Sequence, residues 1–189
     1  MPAPDEPTPG GAYQPTRKHV LAEPSGYDDP AIAALVREVA AALTRLGLKL
    51  ATAESCTGGW VAKACTDLAG SSEWFDCGFA VYSYRAKERL LGVRHEDLER
   101  FGAVSDEIAA QMARGARERS GADIALSATG IAGPGGGMPG KPVGLVHFGW
   151  SLAGEAVRTG HEVFEGDREA VRRQTVMHAL RGVLDAVGA

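Results

Sequence analysis

The sequence lacks several features that would place it in a specialised class of protein. Its 189 residues contain no apolar run near the roughly 20 residues that a membrane-spanning helix needs. The N-terminus also lacks the basic and then apolar layout of a signal peptide. The net charge of −4 gives no basic excess of the kind that binds nucleic acid. These absences predict a cytoplasmic protein with neither a membrane nor a nucleic-acid partner.

Cysteine and clustered histidine are also scarce. The chain has three cysteines, an odd number without C-x-x-C spacing, at Cys56, Cys65 and Cys77. This favours free thiols in a reducing compartment over a disulfide framework or a zinc site. The five histidines are scattered and form no H-E-x-x-H motif: His19, His95, His147, His161 and His178. We therefore expect no metal site and no cofactor.

The first 28 residues differ in composition from the rest. They hold six of the ten prolines and little apolar surface. Such a segment buries too little to offset its ordering entropy, which predicts a flexible N-terminal extension. The alternative is a proline-rich arm that binds a partner. Residues 29–189 are then expected to form a single domain.

The remaining chain alternates between helical and strand patterns. Helices are predicted at 30–46, 57–68, 84–91, 106–120 and from 168 onward, with strands at 49–53, 75–83, 123–128, 143–152 and 156–164. This alternation indicates an α/β sandwich with a mostly parallel sheet. The last two strands are joined around Gly154 as a hairpin, which supplies one antiparallel strand.

One stretch, Glu54-Ser55-Cys56-Thr57-Gly58-Gly59, lies where a predicted strand turns into a predicted helix. A helix start leaves backbone N–H groups unpaired and carries partial positive charge, so it can hold an anion or oxyanion. Ser55 is then a candidate nucleophile. The alternative is that Ser55 or Thr57 only caps the helix.

A second candidate group follows the next strand, where Tyr82 precedes Lys87 on a helix start. The helix start, Arg85 and partial burial would all lower the Lys87 pKa, as a general base requires. The alternatives are a solvated surface lysine and a core tyrosine with a paired hydroxyl.

The segment from Gly130 to Gly140 is the most glycine-dense in the chain and follows a third strand through Thr129. It either binds a phosphate or ring through backbone N–H groups or is a plain connector. It matches neither the dinucleotide nor the P-loop pattern. Ser55, Tyr82 and Thr129 thus all follow strands, and the carboxyl ends of strands are where such sheets bind ligands.

Several ordered motifs together resemble the CinA C-terminal domain family, which includes the nicotinamide-nucleotide amidohydrolases of the PncC type. They are Ala53-Glu-Ser-Cys-Thr-Gly-Gly59, Tyr82-Ser83 with Lys87, Gly102-Ala-Val-Ser105, Thr129-Gly-Ile-Ala-Gly-Pro134, Lys141-Pro-Val-Gly144 and Gly166-Asp-Arg168. The resemblance covers roughly residues 30–187. It implies a three-layer α/β/α sandwich with a mixed, mostly parallel five-stranded sheet, assembled as a homodimer or larger homo-oligomer.

The resemblance also implies an activity: hydrolysis of the carboxamide of nicotinamide mononucleotide to nicotinate mononucleotide and ammonia, in pyridine nucleotide salvage. By matching position, Ser55 is the nucleophile, Lys87 its base, Tyr82 a proton-transfer partner and Thr129 a residue lining the scissile amide. Substrate contacts are implied for Glu54, Cys56, Thr57, Gly58, Gly59, Tyr84, Gly130, Gly133, Lys141 and Arg168. The family commonly has Asn where this chain has Tyr84, which bears on substrate affinity or choice.

Two other functions compete with the amidohydrolase. A non-catalytic nucleotide-binding or regulatory module would keep the fold without turnover, and Tyr84 favours it. A cysteine enzyme would use Cys56, because a helix start lowers a thiol pKa. No histidine is evidently placed to pair with Cys56, which counts against this hypothesis.

Overall fold

The computed structural model describes residues 29–189, and the strands in this range form one five-stranded sheet. The strands are β1 Leu50–Glu54, β2 Phe75–Ala80, β3 Ile124–Gly130, β4 Leu145–Leu152 and β5 Arg158–Val163. Their order across the sheet is β2-β1-β3-β4-β5. β1 pairs in parallel with β2 and β3, whereas β4 is antiparallel to both β3 and β5. The predicted mixed sheet, with one reversed strand from the late hairpin, is confirmed.

Helices cover both faces of this sheet. They are α1 Asp29–Leu46, α2 Trp60–Thr66, α3 Tyr84–Leu91, α4 His95–Phe101, α5 Asp106–Ser120 and α6 Arg168–Val187, with a 3₁₀ turn at Ser71–Glu73. One apolar cluster joins α1, α2 and α6 to one face, and a second joins α3, α4 and α5 to the other. The three-layer α/β/α architecture is thereby confirmed.

The predicted element boundaries are mostly confirmed where a capping residue marks them. Ser105 accepts a hydrogen bond from the Ile108 N–H, and Asp167 accepts one from the Ala170 N–H, so both cap their helices as expected. The second helix is the exception. It begins at Trp60, three residues later than the predicted Thr57, because Cys56 to Gly59 form a turn.

The strands β1, β2 and β3 run parallel, so their carboxyl ends lie side by side. Three segments meet there: the turn after Glu54, the residues after Ala80, and Thr129 with Gly130. The predicted convergence of Ser55, Tyr82 and Thr129 at the carboxyl ends of strands is therefore observed. None of the helices between residues 29 and 189 is long and apolar enough to cross a membrane. The predicted N-terminal extension, residues 1–28, lies outside the described residues.

Candidate active site

Ser55 and Lys87 lie together in the protein interior. Lys87 is on the first turn of α3 and is fully buried, and its Nζ lies 2.9 Å from Ser55 Oγ. The same nitrogen lies 2.8 Å from the Val81 carbonyl oxygen. The backbone N–H of Ser55 donates to the carbonyl of Ala128 on β3 at 2.9 Å, which fixes the serine after β1. The structure thus brings together a hydroxyl and an amine that are 32 residues apart in the sequence.

Burial changes the acid–base behaviour of Lys87. Removal from water disfavours the charged ammonium and lowers the Lys87 pKa from an ordinary 10.5 to about 8. Arg85, which the sequence suggested as a further cause, has an exposed side chain and does not account for the shift. A substantial fraction of Lys87 is therefore neutral near physiological pH, as a proton acceptor requires.

Glu54 occupies the start of α2. Its carboxylate accepts hydrogen bonds from the backbone N–H groups of Gly59, Val61 and Ala62 at 2.9–3.0 Å. The anion at this helix start is thus the protein's own carboxylate, not a substrate group. Neither Ser55 nor Thr57 caps the helix, so that alternative is wrong. Because Glu54 is almost fully buried, its side chain supports the turn from within.

We expect Glu54→Ala to destabilise the protein by about 2–4 kcal/mol, since it leaves one buried and two part-buried N–H groups without their charged acceptor. Urea unfolding followed by circular dichroism measures the change. Glu38→Ala, which removes an exposed carboxylate from α1, is the matched control and should change the free energy of unfolding little. An unfolding midpoint for Glu54→Ala equal to that of Glu38→Ala would show that the carboxylate does not hold the turn.

The turn after Ser55 leaves other backbone donors available. Within the described residues, the N–H groups of Cys56 and Thr57 donate no hydrogen bond to another residue, whereas the Gly58 N–H donates to the Ser55 carbonyl. Arg172 of α6 fixes the turn by donating to the carbonyls of Cys56 and Thr57 at 3.2 and 2.7 Å. Two backbone donors directly after a nucleophile candidate are the usual components of an oxyanion hole.

The two glycines of the turn serve its backbone geometry. Gly58 and Gly59 have φ values of 64° and 98°, which residues with a Cβ rarely adopt. They also border a pocket of about 360 Å³ together with Thr57, Trp60 and Arg172. They can therefore contribute both to the turn and to a substrate surface.

Cys56 follows Ser55 directly but does not have the character of a nucleophile. Its side chain is buried, and burial raises the pKa of the Cys56 thiol to about 12. The expectation that a helix start would lower this pKa is wrong, because α2 begins four residues later and Glu54 neutralises its start. A thiol in this state is protonated near neutral pH, which removes the basis of the cysteine-enzyme hypothesis.

Tyr82 contributes to the site through its backbone more than through its phenol. Its carbonyl oxygen lies 3.5 Å from Lys87 Nζ, whereas its side chain is 67% exposed. The phenol oxygen accepts a hydrogen bond from Arg168 at 3.5 Å, and within residues 29–189 no hydrogen bond joins it to Ser55 or Lys87. Tyr82 therefore lies at the mouth of the site in this structure.

Three predicted site residues bind the last residue of α4 or the segment that follows it. Thr129 donates its hydroxyl to the Ala103 carbonyl at 2.7 Å, and the Tyr84 phenol accepts a hydrogen bond from the Ala103 N–H at 3.2 Å. Lys141 donates from Nζ to the Phe101 carbonyl at 2.7 Å. Their polar ends are thus bound to protein backbone. These side chains shape the wall of the site instead of presenting free polar groups to it.

Gly133 and Arg168 border an open cleft of about 780 Å³, whereas Gly130 does not. The cleft is lined by Trp60, Ala132, Gly133, Pro134, Val143, Gly166, Asp167, Arg168, Glu169 and Arg172. Arg168 donates to the Gly133 carbonyl at 2.8 Å, which ties α6 to the glycine-rich loop. Gly130 is needed for strand packing, because a Cβ there would lie 2.5 Å from the Leu145 carbonyl oxygen.

Arg172 is the main cleft residue that the sequence analysis missed. It lies four residues after Arg168 on α6, so both side chains project from one face of the helix. That spacing, next to the Gly166-Asp-Arg168 motif, was the signal that could have identified it. Guanidinium groups bind phosphates and carboxylates, so Arg168 and Arg172 can hold an anionic group in this cleft, which Asp167 and Glu169 also line.

Comparison with known proteins gives a consistent set of relatives. The model of the CinA C-terminal domain matches residues 32–187. A protein of Escherichia coli strain K12 named nicotinamide-nucleotide amidohydrolase PncC is 51% identical over 154 residues, which cover 81% of this chain and 93% of that protein. One of the same name from Pseudomonas putida is 47% identical over 82% of this chain and 96% of its own length.

Solved structures show the same fold. The crystal structure of the competence/damage inducible protein CihA from Agrobacterium tumefaciens superposes with a TM-score of 0.80 at 45% sequence identity. The match covers 86% of this chain and 97% of that chain.

Proposed function

The chain belongs to the CinA C-terminal domain family, and we propose that it hydrolyses the carboxamide of nicotinamide mononucleotide to give nicotinate mononucleotide and ammonia. The relatives from E. coli and P. putida that carry the name of this activity support the proposal, because they match along nearly their whole length. The single observation that carries it is the 2.9 Å contact between Lys87 Nζ and Ser55 Oγ in a buried site.

The first half of the reaction forms an acyl-enzyme. Ser55 Oγ attacks the carboxamide carbon while neutral Lys87 takes the hydroxyl proton. The oxygen of the tetrahedral intermediate gains negative charge, and the free N–H groups of Cys56 and Thr57 stabilise it. Lys87 then returns its proton to the amide nitrogen, the C–N bond breaks, and ammonia leaves.

The second half regenerates the serine. Water attacks the Ser55 ester while Lys87 again accepts a proton, and the tetrahedral intermediate collapses to release the nicotinate carboxylate. The proton on Lys87 returns to Ser55 Oγ, so one water is consumed for each ammonia and carboxylate formed. Lys87 serves as base and acid in turn, as in other serine–lysine hydrolases.

The remaining site residues have supporting roles in this proposal. Tyr82 assists proton transfer once its phenol moves from Arg168 toward the bound amide. Thr129 positions the wall at Ala103 near the scissile group. Arg168 and Arg172 hold the phosphate of the nucleotide in the cleft between α6 and the glycine-rich loop. In this proposal Glu54 stabilises the turn and the start of α2 and does not contact the substrate, unlike the role that the resemblance implies for it.

The second candidate is a nucleotide-binding module without turnover. Tyr84 in place of the usual Asn was the feature that favoured it. The Tyr84 phenol accepts a hydrogen bond from the Ala103 backbone, and the Ser55–Lys87 contact is present in the same structure. Tyr84 is therefore compatible with catalysis. The enzyme is therefore the better supported of the two.

Ammonia release from nicotinamide mononucleotide tests the proposal, with nicotinamide riboside as the comparison substrate. We expect turnover of the mononucleotide and much slower turnover of the riboside, which lacks the phosphate that the two arginines would bind. Calorimetric binding of the mononucleotide without any ammonia release would instead favour the binding module.

The pH profile gives a separate prediction. Because only neutral Lys87 accepts a proton, kcat/KM should fall about tenfold per pH unit below the pKa of about 8 and level off above it. Measurements from pH 7 to 9.5 keep the substrate phosphate about nine-tenths or more in its dianionic form, because its second pKa is near 6. A profile that is flat across pH 7–9 would contradict a base with this pKa.

The proposal includes a cytoplasmic site of action and assembly as a homodimer or larger homo-oligomer. The first part is supported by the three free cysteines among residues 29–189, because unpaired thiols are typical of a reducing compartment. Light scattering coupled to gel filtration of the full chain tests the second, and a monomer mass at micromolar concentration would exclude it.

A further inference from the structure

The fold assembles a cluster of two histidines and one aspartate outside the Ser55–Lys87 site. His147 on β4 and His161 on β5 are direct cross-strand partners, and Asp106 is the first residue of α5. Asp106 Oδ1 lies 2.6 Å from His147 Nδ1 and 3.7 Å from His161 Nδ1. The two imidazole rings lie 5.0 Å apart. One potential ligand atom from each residue lies within 4.8 Å of the others.

This cluster corrects the expectation that the histidines are scattered. The β4–β5 hairpin turns at Gly154, so residues equally distant from Gly154 in the sequence pair across the two strands. His147 and His161 are both seven positions from it and are partners. The sequence predicts the hairpin and its turn, so the pairing of His147 with His161 could be predicted from it. The position of Asp106 could not be predicted, because it depends on how α5 packs against β4 and β5.

An ordinary ion pair explains only part of this arrangement. Asp106 and His147 form a hydrogen-bonded pair in which His147 is largely covered, with 12% of its side chain exposed. A pair of this kind needs no second imidazole, yet the cross-strand pairing places His161 with its Nδ1 3.7 Å from the same carboxylate oxygen. A bound metal ion would use all three groups, because imidazole nitrogens and carboxylate oxygens are both metal ligands.

The donor set indicates the class of cation. Two imidazole nitrogens and one carboxylate suit Zn²⁺ and neighbouring transition metals, whereas Mg²⁺ and Ca²⁺ prefer oxygen ligands alone. Zinc bonds of 2.0–2.2 Å in tetrahedral geometry place ligand atoms about 3.3 Å apart. The separations of 2.6 and 3.7 Å from Asp106 Oδ1 lie on either side of that value, and all three ligand atoms lie within 4.8 Å of one another. Metal binding therefore requires these side chains to move and the Asp106–His147 hydrogen bond to be replaced by bonds to the ion.

We propose that Asp106, His147 and His161 form a binding site for a divalent transition-metal cation of the Zn²⁺ class. Three protein ligands leave the fourth position open to water, since His161 and Asp106 are about half exposed. The bound ion connects the start of α5 to the β4–β5 hairpin. It therefore stabilises the folded state and is independent of the proposed amide hydrolysis.

Zinc titration of the full chain, after removal of metal with a chelator, tests the site. We expect one equivalent of Zn²⁺ by calorimetry and by zinc content after gel filtration. Zinc at a hundredfold excess over its dissociation constant should raise Tm by about 5 °C or more, whereas Mg²⁺ should not. His161→Gln and Asp106→Asn should each weaken zinc binding at least about a hundredfold, because losing a ligand costs more than losing its outer partner.

His95→Gln is the matched control. His95 is an exposed histidine whose Nδ1 lies 2.8 Å from Glu88 Oε1, and within residues 29–189 it is not part of a metal-ligand cluster. Its replacement should leave zinc affinity and the zinc-induced rise in Tm unchanged. Absence of stoichiometric zinc uptake by the parent chain would overturn the proposal. Equal loss of zinc binding in His161→Gln and His95→Gln would overturn it as well, since that result indicates unspecific surface binding.

Discussion

Replacing Ser55 by alanine should lower ammonia release from nicotinamide mononucleotide by at least about a thousandfold, to near the background rate. Among residues 29–189, this hydroxyl is the one nucleophilic group that hydrogen-bonds to Lys87 Nζ, and it forms the acyl-enzyme in the proposed mechanism. Loss of a nucleophile removes the covalent pathway completely, and the remaining catalysis comes from binding and the oxyanion hole. Single-turnover measurement of ammonia with a coupled assay detects this difference.

Two controls make the Ser55 result specific. Ser55→Ala removes one oxygen from a buried site, so its circular dichroism spectrum should match that of the parent, and it should still bind the mononucleotide. Cys56→Ser keeps the backbone donor at position 56 and should retain most of the activity, because the Cys56 thiol is protonated near neutral pH. If activity survives in Ser55→Ala, or is lost only in Cys56→Ser, Ser55 is not the nucleophile.

The fold was largely predictable because its signals are local. Alternating strand and helix patterns determine the layer architecture, and capping residues such as Ser105 and Asp167 mark helix starts in the sequence itself. The start of α2 was predicted wrongly for a physical reason. Its cap is the Glu54 carboxylate, which lies before the turn and reaches forward over five to eight residues. Standard capping patterns contain no signal for that contact.

The sequence identified the two central residues of the candidate site, but not the contacts of the residues around them. Motif positions and strand ends identified Ser55 and Lys87, and the structure places them 2.9 Å apart. The partners of Thr129, Tyr84 and Lys141 were not predictable. They lie at the end of α4 or in the segment that follows it, whose position depends on tertiary packing. The histidine cluster was missed for the same reason, because one of its members belongs to a helix on the sheet face.

Replacing Lys87 should be almost as damaging as replacing Ser55, because no other proton acceptor contacts the serine hydroxyl among the described residues. Lys87→Met keeps the length and fills the buried space without a basic nitrogen, and it should lower kcat by at least about a hundredfold. Lys87→Arg should be nearly as inactive, since a guanidinium keeps its proton at any accessible pH. Initial rates of ammonia release at saturating substrate, at pH 8, measure both.

The two Lys87 variants together separate a base from a fixed charge. If Lys87 only held positive charge near the substrate, Lys87→Arg would retain much of the activity and Lys87→Met would not. If it is the base, both lose turnover while both still bind the mononucleotide. Near-parental turnover by Lys87→Arg would therefore show that another group accepts the serine proton.

A stability measurement shows independently whether burial lowers the Lys87 pKa. The folded-state pKa of about 8 lies below the ordinary 10.5, so between these values the unfolded chain binds more protons than the folded one. Folding stability of the parent should then rise with pH across this window, relative to Lys87→Met, which has no titrating amine. From pH 8 to pH 10, the difference in free energy of unfolding should shift toward the parent by about 2–3 kcal/mol. A constant difference would mean that Lys87 keeps an ordinary pKa in the folded protein, and its use as a base near neutral pH would lose its physical foundation.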